Sequence, residues 1–182
     1  MHRLFLAIRP PQAVRDLLID AMDDSRELRW VSDEQLHLTL RFIGEVERPL
    51  ANDLAAALRP LRFEPFDLRL AGAGRFDHKG GGALWAGVEP KDKVAALAAK
   101  VERACQLAGI APERRAFHPH ITLARWKGRS SSAADAFITR RAGLASEPFA
   151  VDRFTLFESL LSRHGPHYEE IASYRADDPA RR

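Results

Sequence analysis

With 182 residues, 46% of them hydrophobic, the chain can form one compact domain or two small lobes sharing a core. A formal net charge of +3 allows a polyanionic partner without requiring one. The only cysteine, Cys105, excludes an internal disulfide and fits a reducing compartment.

The run Leu4 to Ile8 is too short for the apolar part of a signal peptide, and no stretch is long enough to span a bilayer. A cytoplasmic protein with no membrane partner is the expectation.

Arg3 to Arg9 reads as a buried strand, broken by Pro10-Pro11. Apolar residues at helical spacing follow from Val14 to Leu28. Ser32-Asp33 is a turn, and Leu36 to Ile43 a strand stopped by Gly44. Pro49 to Leu58 reads as a helix and Phe66 to Leu70 as a half-buried strand. Loops are expected at Gly72–Gly74 and Lys79–Gly82, then a strand from Ala83 to Val88. Asp92 to Leu107 is an amphipathic helix ended by Gly109.

His120 to Trp126 reads as a strand, Gly128 to Ser132 as a loop, and Ala133 to Arg141 as a short helix. Late strands run from Phe149 to Phe157 and from Tyr168 to Tyr174. Residues 1–176 are expected to form one bilobal domain and 177–182 a disordered tail. Helices and strands do not alternate regularly, which points to an α+β chain.

One short pattern occurs twice: His37-Leu-Thr39-Leu40 and His120-Ile-Thr122-Leu123. Side chains two apart in a strand share a face, so each histidine stands beside its threonine. A lone His-x-Thr carries little information, whereas two copies continued by the same residue types suggest one site built from two similar halves.

Two imidazoles suit metal-free phosphate chemistry. One takes a proton from the attacking water and the other gives one to the departing oxygen. Threonine hydroxyls can donate to the non-bridging oxygens. His118 and His120 form His-x-His, but no further ligands lie nearby in sequence, so neither a metal nor another cofactor is expected.

The segments Leu36 to Phe42 and Phe117 to Arg125 resemble the two-histidine phosphoesterase superfamily. Within it, His118-Pro-His-Ile-Thr-Leu-Ala-Arg125 is similar to the RNA 2′,3′-cyclic phosphodiesterases, once named 2′-5′ RNA ligases. The opening Arg3 to Ile8, Phe42-Ile-Gly-Glu45 and Phe154-Thr-Leu-Phe157 extend the likeness over nearly the whole chain.

The resemblance implies a pseudo-symmetric α+β fold, with two antiparallel sheets facing a central cleft and helices outside. It also implies opening of the cyclic phosphate to a 2′-phosphate without a metal. By the same resemblance His37 is the general acid and His120 the base, roles that the similar halves could exchange. Thr39 and Thr122 hold phosphate oxygens, Arg125 binds phosphate and Phe42 stacks on the base.

Phe42 and Arg125 lie at an odd offset from their histidines. They reach the cleft only if the strands bend or bulge, and Arg41 is the alternative cation. The expected partners are RNA ends bearing a cyclic phosphate, or small cyclic nucleotides, acted on by a monomer. Competing readings are 2′-5′ ligation by the reverse chemistry, a non-catalytic RNA-end binder and a small-molecule phosphodiesterase.

Overall fold

The computed structural model describes residues 1–129, 131–163 and 165–177. In chain order the elements are β1 (His2–Ile8), α1 (Gln12–Ala21), β2 (Arg29–Trp30), a 3-10 turn (Asp33–Gln35), β3 (Leu38–Val46) and α2 (Arg48–Leu58). Then come β4 (Phe66–His78), β5 (Gly81–Glu89), α3 (Lys91–Leu107) and β6 (His120–Lys127). The chain ends with α4 (Ser132–Arg140), β7 (Phe149–Val151), β8 (Arg153–Ser162) and β9 (Gly165–Arg175).

Strands pair in the order β7-β4-β5-β6-β3-β1-β8-β9, with β2 added to β6. Every pairing is antiparallel. The order divides into a half carrying β6 and a half carrying β3. These meet at a single ladder pair, Leu38 with Ile121. Among the described residues no helix is long and apolar enough to cross a membrane.

The pleat of β1 shows how the two faces differ. Leu4, Leu6 and Ile8 enter the main core, which also takes Leu18 from α1, Leu54 from α2, Val101 from α3 and Phe137 from α4. All four helices therefore bury their apolar stripes on this side of the strands. The alternate residues Phe5 and Ala7 point the other way and pack with Phe157 and Tyr168 in a small separate cluster. This second face bears the candidate site.

Several boundaries differ from the sequence reading for identifiable reasons. The first helix stops at Ala21, well before Leu28, which is buried beyond it as loop packing. The loop expected at Gly72–Gly74 lies inside β4, where small residues accommodate a register shift between Leu70 and Ala73. Gly44 does not stop β3, which bulges and continues to Val46. The strand expected from Phe149 to Phe157 is two strands, broken at Asp152. Of the 177–182 tail only Asp177 lies within the described residues, and its N–H donates to the Phe63 carbonyl at 2.9 Å.

Candidate active site

The junction of the halves assembles the doubled motif. Leu38 and Ile121 are fully buried and face the core. Counting one residue outward from that antiparallel pair sets His37 level with Thr122 and Thr39 level with His120. All four side chains are half-buried and stand on the face opposite the helices. The two histidines thus sit diagonally across a local twofold axis through the Leu38–Ile121 pair. Neither threonine hydroxyl has a hydrogen-bond partner among the described residues.

Each ring is held in the same way. His37 Nδ1 lies 2.7 Å from the Gln35 carbonyl, and His120 Nδ1 lies 2.5 Å from the His118 carbonyl. A carbonyl only accepts, so Nδ1 must carry a hydrogen in both rings. Nε2 is then the nitrogen free to exchange a proton.

The loop before His37 is itself pinned. Gln35 closes a capping box with Ser32, and its side-chain amide donates to the Pro166 carbonyl at 3.1 Å. The β8–β9 hairpin therefore braces the carbonyl that orients His37.

Burial pushes the His37 imidazole down to about 4, with His120, Arg125 and Arg9 adding repulsion against its charged form. Burial also lowers His120, again with Arg125 repulsion. Both rings are therefore neutral at pH 7 in the unliganded protein. The bond to Gln35 opposes this for His37, because it favours a protonated ring.

The odd-offset question is answered by paired bulges. On β3 the register passes from Thr39 opposite Ala7 to Arg41 opposite Leu6, leaving Leu40 as an extra residue. On β6 it passes from Thr122 opposite Trp85 to Ala124 opposite Leu84, leaving Leu123 extra. Each bulge reverses the alternation that follows. Phe42 and Arg125 consequently share the open face with the motif residues.

Two further observations agree. Phe42 is directly opposite Phe5, whose ring touches His37 at a centroid distance of 4.8 Å. The Arg125 charge reaches both histidines. Phe42 is 41% exposed, so it is not a core residue.

Arg41 is committed elsewhere. Its side chain, 10% exposed, pairs with Glu102 at 2.6 Å and donates to the Ala111 carbonyl at 2.6 Å. It ties β3 to α3 and to the segment leading to the second motif.

Aromatic walls flank both histidines. Phe5 and Tyr168 contact His37, the latter with its ring near-perpendicular and 5.4 Å away between centroids. Phe76 and Trp85 stand 4.9 and 6.1 Å from His120. A cavity of about 450 Å³ opens beside His120, lined by Phe76, Trp85, Phe117, His118, Lys91 and Gly72 among others.

Trp85 lies flat on Gly74, where a Cβ would come within 2.4 Å of the indole. Strand alternation alone does not distinguish a core face from a cleft face, so the sequence by itself does not place Trp85 in this wall. Trp30 does pack in the core, against Phe137.

The remaining candidates have other roles. His118 is exposed and contributes its carbonyl to His120. Among the described residues no three His, Cys, Asp or Glu side chains converge as a metal-ligand set. Burial pushes the Cys105 thiol up to about 12, which makes it inert. His164 lies outside the described residues.

Comparison with known proteins gives a consistent family. The sequence model of the 2′-5′ RNA ligase superfamily matches residues 9–163. The chain is 35% identical over 157 residues to an RNA 2′,3′-cyclic phosphodiesterase of Aeropyrum pernix, covering 85% of this chain and 89% of that one. It is 34% identical over 183 residues to the protein of that name from Thermus thermophilus, covering 94% and 89%. The crystal structure of Escherichia coli LigT complexed with 3′-AMP superposes with a TM-score of 0.82 at 27% identity, covering 97% and 99%. Profile, relatives and fold agree across nearly the full length, and the chain belongs to the 2′-5′ RNA ligase superfamily.

Proposed function

We propose that this protein hydrolyses 2′,3′-cyclic phosphates at RNA or nucleotide ends to 2′-phosphates, without a metal, using His37 and His120 as acid and base. The observation that carries the reading is the pair of imidazoles on one open face. Each has Nδ1 tied to a carbonyl and Nε2 free. The name shared by the curated relatives, RNA 2′,3′-cyclic phosphodiesterase, supports the substrate class.

In this reading the phosphorus sits near the local twofold axis. Water attacks it from the His120 side, and Nε2 of His120 takes the proton. The bond from phosphorus to O3′ breaks, and Nε2–H of His37 protonates that oxygen. The products are a 2′-phosphate and a free 3′-hydroxyl. Thr39 and Thr122 donate to the non-bridging oxygens, where charge builds. Arg125 adds a charge-assisted contact and Phe42 stacks on the base.

The acid must be protonated, yet both rings are neutral in the unliganded protein. The substrate removes this conflict: a phosphate anion between the rings supplies the opposite charge that favours protonating one of them. Loading the proton is thus coupled to binding.

Incubation with a 2′,3′-cyclic nucleotide in excess EDTA, followed by 31P NMR of the product, tests the reading. A 2′-phosphate is expected. A 3′-phosphate, or turnover only after zinc or manganese is restored, would overturn it.

A further inference from the structure

Arg29 and Arg125 are directly opposite each other on the β2–β6 ladder. Directly opposed side chains share a face, and opposed like charges are destabilising. Neither guanidinium has a hydrogen-bond or ion-pair partner among the described residues. Both residues are exposed, while the adjoining Trp30 and Ala124 face inward. On the helix-covered face, by contrast, Arg75 pairs with Asp77 and Asp135, and Arg140 with Asp23.

The row continues past this pair. Lys127 lies two residues beyond Arg125, about 7 Å along the strand, on the same face. It is opposite Gly81, which offers no side chain, and it too is unpaired among the described residues. His120, Thr122, Arg125 and Lys127 therefore form one line on the open face, with Arg29 beside it. A line of unmatched cations that begins at the reacting phosphate and leads away from it is complementary to a polyanion.

We propose that Arg29 and Lys127, extending from Arg125, bind backbone phosphate on the 5′ side of the terminal nucleotide, so that the protein prefers a polynucleotide end to a free cyclic nucleotide. This rests on the function proposed above. A mononucleotide with a 5′-hydroxyl engages only the histidines, threonines, Arg125 and Phe42. A longer strand also neutralises the row and gains salt-dependent affinity. A 5′-phosphate on a mononucleotide presents the same chemistry as the first linking phosphodiester.

The test compares three substrates: a cyclic mononucleotide with a 5′-hydroxyl, the same nucleotide with a 5′-phosphate, and a trinucleotide ending in a cyclic phosphate. The variants are Arg29→Gln, Lys127→Gln and the double. In the double variant kcat/KM on the trinucleotide should fall about tenfold, and the slope of log affinity against log salt should flatten by roughly 1.4 for two lost contacts. The 5′-hydroxyl mononucleotide should be hydrolysed as before. A loss on the 5′-phosphorylated mononucleotide assigns the affected residue to the first phosphate, and a loss on the trinucleotide alone to the next.

Equal losses on all three substrates, or no loss on the trinucleotide, would overturn the proposal. If the unmodified protein hydrolyses none of them, the active-site reading falls separately. Fluorescence anisotropy with a labelled trinucleotide ending in a 2′-phosphate then decides the row. Weaker binding by the double variant upholds it, and unchanged binding removes it.

Discussion

Leu40 and Leu123 occupy equivalent places: each is the third residue after its motif histidine, and each is left without a partner across the ladder. The two bulges invert the alternation at the same step in both halves. They put Phe42 on the face of His37 and Arg125 on the face of His120. The halves are alike in backbone but differ in what they deliver, an aromatic ring in one and a cation in the other.

That difference predicts divided roles in binding. Arg125→Ala should weaken a 2′-phosphate product more than Phe42→Ala does. Phe42→Ala should instead reduce the preference for a nucleotide over bare ribose phosphate, because base stacking on an aromatic is worth about 1–3 kcal/mol. Calorimetric titration of both variants with both ligands checks this. Equal losses for the two ligands in Phe42→Ala would remove Phe42 from the base site.

His37→Ala and His120→Ala should each lower kcat by about 10²–10⁴-fold with the fold retained by circular dichroism. The double variant should lose little more than either single one, since the pair acts as a unit. Normal turnover by either folded single variant contradicts the assignment.

The kcat/KM profile should be bell-shaped, and its limbs belong to the pair. Burial and Arg125 lower both rings, so at least one limb should lie below the ordinary histidine value of 6.5. The kcat profile should move to higher pH, because bound phosphate favours the protonated rings.

Stability has a definite sign as well. His37 titrates near 4 when folded and near 6.5 when unfolded, so the unfolded chain binds the proton first. The contribution is complete above pH 6.5 and is lost as pH falls towards 4. Thermal melts over that range should show Tm falling less steeply in His37→Gln than in the unmodified protein. Identical slopes would contradict the burial argument.

Gly74→Ala should disturb the His120 wall. Its Cβ would meet the Trp85 ring, and overpacking of this kind costs about 1–3 kcal/mol. A lowered Tm is expected, together with loss of activity as Trp85 is pressed from its place beside Phe76 and His120. An unchanged Tm would mean that the indole has another place to go.

The strands that carry the motifs and most helices were legible because their apolar spacing is long and regular, as in α3. The doubled histidine pattern was legible because both copies keep the same residue types. The bulges were not, since Leu40 and Leu123 read like any strand leucine and only cross-strand register reveals an extra residue. Arg41 illustrates the consequence. Regular alternation favours it as the cleft cation, whereas the bulge turns it towards Glu102. Phe5, Phe76, Trp85 and Tyr168 were hidden for a related reason: the sheet has two apolar faces, and alternation does not say which one meets the helices. Arg29 had no visible signal, because a two-residue strand is too short to show a period.

The most direct test of the account is the protonation of the two rings, followed by 15N NMR of the histidine side chains with and without a 2′-nucleotide. In the free protein at pH 7 both His37 and His120 should be neutral Nδ1–H tautomers with unprotonated Nε2. Saturation with the ligand should protonate Nε2 of at least one of them. Rings that carry their hydrogen on Nε2 in the free protein, or that do not respond to the ligand, would contradict a phosphate held and worked on between these two histidines.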